Sequence, residues 1–255
     1  MTTIATWNVN GIRARQEQVL DWIARERPGI FCLQELKAAP EQVPEALRQL
    51  EDYWTFWHGA GGYSGVGLGI HKSLAAEPPE FHHPRFDHET RIVTARLGSM
   101  GELEVASVYV PNGGKDYAAK LAFLRELREW AAEARRENRP LLIAGDLNVA
   151  REERDIHPKE RKPGQIGARP EERELLAAVV GEGLADVGRA LDPENDALFT
   201  WWAPWRNLRQ RNIGWRIDYL LLAQSHLPRV RAAKVEREVG TSDHAPVTIE
   251  LAEAP

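Results

Sequence analysis

Leu141-Leu142-Ile143-Ala144-Gly145-Asp146-Leu147-Asn148 is the stretch on which our interpretation of the fold depends. An apolar run that ends at glycine and is followed by polar residues predicts a buried strand that stops at a surface, as in an α/β or layered fold. Asp146 and Asn148 are two residues apart, so both side chains can point to one side of the strand end. Residues at such strand ends often carry the chemistry of a protein. The alternative is an Asp-x-Asn turn that only satisfies local backbone groups.

The composition is that of a soluble globular protein. The 255 residues are 43% hydrophobic and 28% charged, which allows one large domain or two small ones. The N-terminus has no basic region followed by an apolar run, so we expect no signal peptide. The sequence has no run of about 18 apolar residues, so we expect no membrane span. The cytoplasm is the expected compartment. The single cysteine, Cys32, lies in an apolar run and is expected to pack in the core.

The charge distribution indicates which kinds of binding partner the protein can have. A net charge of −5 argues against a protein that coats nucleic acid without specificity, but it allows an enzyme that contacts a few phosphates. Residues 201–216 contain four tryptophans and four arginines with no acidic residue. Interleaved aromatic rings and guanidinium groups suit bases, sugars and phosphates. The alternative is an arginine-rich loop that core tryptophans anchor.

The rest of the chain alternates predicted strands and helices, which favours an α/β fold. Strands are predicted at residues 3–9, 30–34, 55–57, 65–70, 91–97, 102–110, 141–144 and 214–222, with a last strand after residue 246. Helices are predicted at residues 16–27, 41–50 and 115–138 and from Pro170 onward. Residues 151–173 form the longest predicted loop, and long ordered loops are often functional.

Polar side chains follow several of these predicted strands. Asn8 ends the first strand, Glu35 follows the second, and Tyr109 lies near the end of a later one. A glutamate followed closely by Lys37 is often only a solvated ion pair. However, one or two carboxylates with several waters are also how Mg²⁺ is commonly held. Tyr109 taken alone is typical of an ordinary strand aromatic.

One buried acid requires a partner. Asp218 lies inside an apolar strand, where an unpaired carboxylate is costly. A histidine is its most economical partner, and His244 precedes the last strand. By contrast, His82, His83 and His88 show no regular ligand spacing. We therefore interpret them as part of a surface loop and not as a transition-metal site.

Six motifs, in order along the chain, together resemble those of the exonuclease III family of apurinic/apyrimidinic endonucleases, within the endonuclease/exonuclease/phosphatase superfamily. They are Trp7-Asn8-Val9-Asn10-Gly11-Ile12-Arg13, Leu33-Gln34-Glu35, Tyr109-Val110-Pro111-Asn112-Gly113, Gly145-Asp146-Leu147-Asn148, Trp215-Arg216-Ile217-Asp218-Tyr219 and Ser242-Asp243-His244-Ala245-Pro246. The match runs from residue 4 to residue 251. The resemblance implies a four-layered α/β sandwich in a single domain of residues 1–255. Two mostly antiparallel sheets then pack face to face, with helices outside.

The resemblance also implies an activity. Such an enzyme uses Mg²⁺, for which Mn²⁺ substitutes, and acts as a monomer on double-stranded DNA with abasic sites or 3′ ends. It hydrolyses the phosphodiester 5′ to an abasic site in base excision repair, leaving a 3′-hydroxyl and a 5′-deoxyribose phosphate, with some 3′→5′ exonuclease or 3′-cleaning activity. In a prokaryote it would work at the nucleoid.

Three other functions stay open at this point. One is a dedicated 3′→5′ exonuclease with weak abasic activity, and another is a catalytically silent binder of damaged DNA. The third is a phosphatase or phosphodiesterase acting on phosphoinositide or lipid head groups. The complete set of catalytic residue types argues against the silent binder, and the arginine–tryptophan segment favours DNA over lipid.

Individual roles follow from the resemblance. The implied metal ligands are Glu35, directly, and Asn8, Asp146, Asn148 and Asp243, directly or through water. The implied catalytic residues are Tyr109, Asp146, Asn148, Asp218 and His244. With Asp218 fixing its tautomer, His244 either activates the water or, when protonated, binds the phosphate. Asp146 is the other candidate for positioning or deprotonating the water, or for protonating the leaving 3′ oxygen.

The implied DNA contacts are Asn10, Arg13, Lys37, Asn112, Trp201, Trp215 and Ile217, of which the last three would line a pocket for a flipped, base-free sugar. The chain departs from the family pattern at three places. Trp201 stands where relatives often have phenylalanine. Ala168-Arg169 replaces an aromatic residue and threonine, and Thr90 precedes Arg91 where glycine is frequent. We expect the last two to alter loop contacts to DNA.

Overall fold

Two sheets of six strands each form the framework of the protein. The computed structural model describes residues 1–253. The strands are β1 (Thr2–Asn8), β2 (Ile30–Gln34), β3 (Tyr53–His58), β4 (Val66–His71), β5 (Phe81–His82), β6 (Ile92–Leu97), β7 (Leu103–Tyr109), β8 (Leu141–Asp146), β9 (Leu184–Asp186), β10 (Asp218–Ala223), β11 (Val230–Val235) and β12 (Val247–Leu251). The first sheet has the order β11-β12-β1-β2-β4-β3, and the second has the order β5-β6-β7-β8-β10-β9.

Five α-helices are present within residues 1–253. They are α1 (Gln16–Glu26), α2 (Glu45–Arg48), α3 (Tyr117–Arg136), α4 (Pro170–Gly181) and α5 (Val187–Leu191). None of these helices is long and apolar enough to cross a membrane. Each sheet contains one parallel pair, β1 with β2 and β7 with β8, while the other named pairs are antiparallel. A parallel pair requires a crossover, and α1 and α3 provide one in each sheet.

The main core lies between the two sheets. Ile4 and Leu68 of the first sheet belong to the same buried cluster as Val105, Leu142 and Leu220 of the second. Separate clusters join the outer face of the second sheet to α3 and α4, and the outer face of the first sheet to α1. Both faces of β2 and β8 are therefore covered, which explains why their sequences are continuous apolar runs. The four-layered α/β sandwich with mostly antiparallel sheets is confirmed.

Gly145 is a position where only glycine fits. It lies opposite Val108 in the parallel pair of β7 and β8, and a Cβ added there would be 1.8 Å from the Val108 carbonyl oxygen. The close approach brings the end of β8, and with it Asp146, against the end of β7. Gly145 therefore has two roles. It allows the close packing of β8 against β7, and it lies where the strand ends.

Local patterns misplaced two elements. The helix predicted at residues 41–50 is wrong as a continuous element, because the chain forms a 3₁₀ turn at Pro40–Gln42 and the single turn of α2. Pro44 separates the two, since a proline disfavours helical backbone at the preceding residue. The apolar segment 214–222 becomes a strand only from Asp218. That residues 1–255 form a single domain stays a prediction.

Candidate active site

The strand ends bring the predicted polar residues to one edge of the sandwich. Asp218 begins β10 directly opposite Asp146, the last residue of β8, because the two strands are antiparallel. Asn8 ends β1 of the other sheet and donates from Nδ2 to Asp146 Oδ2 at 2.9 Å. The ends of both sheets therefore meet at a single site, as the motif order predicted.

A pocket of about 460 Å³ opens at this edge. It is lined by Asn10, Glu35, Lys37, Tyr109, Asn112, Asp146, Asn148, Gln165, Ile166, Gly167, Trp201, Trp215, Ile217, Asp243 and His244. Asn8 and Asp218 lie behind its wall, both almost fully buried. Arg13 is the predicted site residue that lies outside; it is exposed and donates to the Lys37 carbonyl at 3.3 Å. A larger groove, of about 560 Å³, runs beside β11 and contains none of the predicted site residues.

Oxygen-bearing side chains cluster on one wall of the pocket. Asn8 Nδ2 donates to Glu35 Oε2 at 3.1 Å as well as to Asp146, so one amide joins the two carboxylates. The other side of that amide, Oδ1, accepts from the backbone N–H of Asn10 at 2.9 Å. Asn148 Nδ2 donates to Asp146 Oδ2 and to the Val110 carbonyl. In this arrangement the two asparagines offer N–H groups to the carboxylates, and their roles as metal ligands stay predictions.

The loop after β2 has an unusual backbone. Glu35 and Lys37 have φ angles of 55° and 52°, in the left-handed region that disfavours residues with a Cβ. Backbone hydrogen bonds from Gly11 to Glu35 and from Leu36 to Gly65 hold this conformation. As a result both side chains enter the pocket, with Lys37 Nζ 2.9 Å from Glu35 Oε1. Backbone of this kind tends to occur at functional sites, where the surrounding structure offsets its cost.

His244 lies between two aspartates. Its Nδ1 is 2.9 Å from Asp218 Oδ2, and its Nε2 is 3.8 Å from Asp146 Oδ2. Burial acts to lower the pKa of His244, but the carboxylates of Asp218 and Asp146 outweigh it and raise that pKa to about 10. Burial likewise raises the pKa of Asp146 to about 7, and the charge of His244 offsets this only in part. The pairing of His244 with Asp218 inferred from the sequence is present.

Asp243 is held from both sides. Its Oδ1 accepts from Asn10 Nδ2 and its Oδ2 from Trp201 Nε1, each at 2.8 Å. Although burial acts in the opposite direction, the charge of His244 and these hydrogen bonds lower the pKa of Asp243. The carboxylate is therefore ionised, and it anchors the tryptophan that forms one wall of the pocket.

Tyr109 lies under the pocket with its ring almost fully buried. Burial, with the charges of Glu35 and Asp146, raises the pKa of its hydroxyl well above the ordinary value, so the hydroxyl is a donor. The guanidinium carbon of Arg91 lies 4.9 Å from the centre of the Tyr109 ring, and Arg91 also donates to the Tyr63 hydroxyl at 2.7 Å. Arg91 thus fixes the ring that presents the hydroxyl.

The tryptophans of residues 201–216 divide between two environments. Trp201 and Trp215 meet edge to face, with ring centres 6.1 Å apart, and they line the pocket with Ile217. Trp202 is 1% exposed and packs in a small separate core. Trp205, by contrast, is 59% exposed. One tryptophan therefore anchors the segment in a core, while the others face the pocket or solvent, and their contact with DNA stays a prediction.

The chain was then compared with known proteins. A family model described as endonuclease/exonuclease/phosphatase matches residues 5–244. The chain belongs to the endonuclease/exonuclease/phosphatase family. It is 32% identical to the DNA repair nuclease APEX1 of Danio rerio over 260 residues, covering 98% of this chain and 82% of that protein. It is 31% identical to the exodeoxyribonuclease of Bacillus subtilis strain 168, covering 96% and 98%.

A solved structure of similar fold also comes from a DNA-processing enzyme. The 3′ phosphatase NExo from Neisseria, bound to a product DNA hairpin, is 28% identical, with a TM-score of 0.88 over 98% of this chain and 99% of that one. The family and these relatives together show that this protein is a hydrolase of the nuclease type. The family depends on a metal, and in this member donor atoms of Asp146, Asp218 and His244 lie within 4.8 Å of one another.

Two residues that organise the site, Thr200 and Lys120, were not predicted from the sequence. Thr200 donates from Oγ1 to Asp218 Oδ2 at 2.6 Å and accepts from the backbone N–H groups of Ile217 and Asp218. It therefore fixes the carboxylate that holds His244. Its position next to Trp201 was a weak signal, because no local pattern relates it to a strand 18 residues away.

The second is Lys120, whose side chain is completely buried. Its Nζ lies 2.5 Å from Glu172 Oε1 and donates to the Asn148 carbonyl at 2.7 Å. Glu172 in turn accepts from the backbone N–H groups of Gly167 and Arg169, so this buried pair shapes the loop that lines the pocket. The signal was present, because Lys120 lies on the same helical face as Leu124 and Leu127, which are buried.

The departure at Ala168-Arg169 lies on this loop. Ala168 packs, as Trp201 and Trp215 do, against the buried cluster of Ala150, Ile156 and Ile217. The Arg169 guanidinium lies over the Tyr117 ring, 4.3 Å from its centre. The loop conformation is held through the Arg169 backbone, which donates to Glu172 at 3.0 Å. Replacement of the side chains at these two positions is therefore compatible with the pocket geometry.

Proposed function

We propose that this protein is a Mg²⁺-dependent DNA repair nuclease that hydrolyses the phosphodiester bond 5′ to an abasic site. The products are a 3′-hydroxyl and a 5′-deoxyribose phosphate, as expected for base excision repair. The observation that carries the proposal is the pocket in which Glu35, Asp146 and the Asp218–His244 pair face a wall formed by Trp201 and Trp215. One side of this pocket suits a phosphate and the other suits an apolar sugar.

The donor set fits Mg²⁺. Glu35 and Asp146 supply hard carboxylate oxygens, no thiolate is present among the lining residues, and Asn8 keeps the two carboxylates together. Glu35 and Asp146, with Asp243 through water, would hold the ion. Bound there, it would neutralise charge on the phosphoryl oxygens. Mn²⁺ has the same preference for oxygen ligands and is expected to substitute.

The side chains of the chain itself then have distinct tasks. Asp218 fixes His244 through Nδ1, so the protonated imidazole donates from Nε2 to a phosphoryl oxygen. Tyr109 donates its hydroxyl to another phosphoryl oxygen. Asp146 orients the attacking water and accepts its proton as the new oxygen–phosphorus bond forms. The bond to the 3′ oxygen breaks, and that oxygen takes a proton from solvent water to give the 3′-hydroxyl, while Asp146 returns its proton to solvent. Electrostatic complementarity to the transition state is the main contribution of such a site.

Substrate selection is assigned to the aromatic wall. Trp201, Trp215 and Ile217 would enclose a flipped sugar that has no base. The loop backbone at Gly167 closes the pocket, since a Cβ there would approach the Trp215 ring to 3.2 Å. Trp205 is exposed and precedes Arg206, and the two would offer a stacking surface for bases. Asn10, Lys37 and Asn112 lie where they can contact the phosphate backbone, and Arg13 lies near them.

Processing of 3′ ends is the second candidate. The relatives include a protein named as an exodeoxyribonuclease and one named as a 3′ phosphatase. The same phosphate-binding residues would serve a 3′-terminal nucleotide or a 3′ phosphate. We place the enzyme in the cytoplasm as a monomer acting on double-stranded DNA.

A single experiment separates these activities. A duplex with one tetrahydrofuran abasic analogue, which cannot undergo β-elimination, is incubated with Mg²⁺, with Mn²⁺ or with EDTA. A 3′-recessed duplex and a duplex ending in a 3′ phosphate are run beside it. We expect a metal-dependent cut on the 5′ side of the analogue and loss of that cut in Asp146→Asn.

Other outcomes of that experiment point elsewhere. Digestion of the recessed end without incision at the analogue would assign a dedicated exonuclease. Release of phosphate alone would assign a 3′ phosphatase. Binding without any cleavage would assign a silent binder of damaged DNA.

A further inference from the structure

A second cluster of histidine and aspartate lies outside the active site. It consists of His58 at the end of β3, His83 after β5 and Asp87 before β6. The sequence pattern favoured no metal role for His83, because His58 becomes its neighbour only in the fold. One donor atom of each residue can be chosen so that all three lie within 4.8 Å of one another. His58 Nε2 is 2.5 Å from Asp87 Oδ2, and His83 Nδ1 is 4.0 Å from the same oxygen. None of the three lines the catalytic pocket.

The carboxylate of Asp87 is held in one orientation. Its Oδ1 accepts from the backbone N–H groups of Arg91 and Ile92, at 2.6 Å and 2.8 Å. These bonds leave Oδ2 directed at the two histidines. Such anchoring of a carboxylate by neighbouring groups is typical of ligands that hold a metal ion in a fixed place.

The two imidazole rings are also positioned. They stack with centres 3.8 Å apart and planes inclined by 23°. His83 Nδ1 is 2.8 Å from the Ile92 carbonyl oxygen, so this nitrogen carries the proton and Nε2 carries the lone pair. A histidine that donates one N–H to a backbone carbonyl while its other nitrogen stays free is the usual state of a metal-binding histidine.

We propose that His58, His83 and Asp87 form a second metal site, which takes a borderline transition ion such as Zn²⁺. Two neutral imidazoles and one carboxylate are a donor set suited to Zn²⁺, whereas Mg²⁺ prefers oxygen ligands only. The side chains of His58 and His83 are 22% and 31% exposed, so solvent can reach the site and supply a water as the fourth ligand. The site is separate in residues and in ligand chemistry from the proposed Mg²⁺ site.

Binding requires a small rearrangement. Tetrahedral Zn²⁺ with bonds of about 2.0–2.1 Å places its donor atoms roughly 3.3 Å apart. The His58–Asp87 contact must therefore lengthen, and the proton on His58 Nε2 must move to Nδ1 or to solvent. The His83 ring must turn so that Nε2, in place of Nδ1, faces Asp87. Both movements involve partly exposed histidines, while Asp87 stays bonded to the backbone. The ion would then connect the end of β3 with the segment that precedes β6.

The test measures Zn²⁺ binding to the full chain by competition with a chromophoric chelator, in millimolar Mg²⁺ so that oxygen-only sites are occupied. The visible absorption of bound Co²⁺ reports four-coordinate geometry in a parallel titration. His58→Phe and His83→Phe keep an aromatic ring in the stack but remove the nitrogen donors. His82→Phe, at the neighbouring exposed position, is the matched control.

We expect one equivalent of Zn²⁺ on the wild-type protein and on His82→Phe, with affinity weakened at least tenfold in His58→Phe and His83→Phe. Glu35→Gln should bind Zn²⁺ as the wild type does, because its change lies in the catalytic pocket. Circular dichroism would verify that each variant is folded. The proposal is overturned if the wild type binds no Zn²⁺, if both phenylalanine variants bind it normally, or if Glu35→Gln abolishes the binding.

Discussion

The chain contains two histidine–aspartate pairs that look alike at close range and differ in their surroundings. His244 lies 2.9 Å from Asp218, and His58 lies 2.5 Å from Asp87. The first pair is buried, its carboxylate also accepts from Thr200, and its free nitrogen faces Asp146 across the pocket. The second pair is partly exposed, and its third neighbour is another imidazole. The neighbour of each pair, a carboxylate in the first and an imidazole in the second, decides which chemistry the pair can perform.

The two pairs differ in the number of carboxylates per histidine. Two carboxylates around His244 favour a permanently protonated ring, which suits a phosphate. One carboxylate shared by two histidines leaves lone pairs available to a cation. A histidine–aspartate contact alone therefore does not identify a catalytic dyad, and the surrounding charges must be counted.

The largest expected effect is the loss of turnover in Asp146→Asn and His244→Asn. In the proposed mechanism each change removes a group that accepts or donates a proton at the phosphate, so we expect incision at the abasic analogue to fall about 10²–10⁴-fold. Single-turnover incision assays with saturating enzyme measure the chemical step. Near-normal rates in both variants, with thermal unfolding unchanged, would remove these residues from the chemistry.

Next in size is the effect of Thr200→Val, which tests whether the Asp218–His244 pair depends on the hydroxyl of Thr200. The change removes the hydroxyl that donates to Asp218 and leaves two backbone N–H groups without their acceptor. We expect turnover to fall about ten- to hundredfold, with unfolding free energy lowered by about 1–3 kcal/mol. Thr200→Ser restores the hydroxyl and should recover most of both losses. Equal behaviour of the valine and serine variants would contradict the assigned role.

A smaller effect is expected for Trp215→Ala. Removal of one wall of the pocket should reduce the preference for abasic over undamaged DNA by about tenfold, while cleavage per bound phosphate changes less. The ratio of incision rates on the two duplexes measures this preference. Trp54→Ala, which removes a half-buried tryptophan of β3 outside the pocket, is the control. An unchanged ratio in Trp215→Ala would exclude this ring from substrate selection.

The smallest effect concerns stability and belongs to the second pair. His58 and two backbone N–H groups outweigh the opposing effect of burial and lower the pKa of Asp87. A carboxylate with a lowered pKa stabilises the fold fully above its unfolded pKa of about 4, and this stabilisation is lost as the pH falls through the folded value. We expect Asp87→Asn to cost about 1 kcal/mol at neutral pH.

The pH dependence is the sharper part of that prediction. Urea unfolding of wild type and Asp87→Asn should show a constant difference above pH ~5 that shrinks below pH ~4. A difference that grows as the pH falls would show that the Asp87 charge destabilises the fold. The double variant with His58→Phe would then separate the histidine contact from the backbone contacts.

Much of the site was predictable because its residues occur in short motifs at strand ends. Asp146 and Asn148 follow an apolar run, and Asp218 lies inside one, so each could be located without the fold. Thr200 and His58 could not, because their partners lie on other elements and no local periodicity relates them. The helix predicted at residues 41–50 is interrupted for a local reason, because Pro44 disfavours helical backbone at the residue before it.

The sequence by itself determined which residue types are candidates for the chemistry and which strands bring them to an edge. Apolar periodicity and terminating glycines depend on neighbouring residues only, so they can be recognised in the chain. Apart from the pairing of His244 with Asp218, which the buried acid predicted, only the tertiary structure decided which side chains meet. The amide of Asn8 donates to Glu35 and also to Asp146, which lies 138 residues after Asn8, and His58 meets Asp87. Sheet order and register create these contacts, and both are set by the packing of the whole chain.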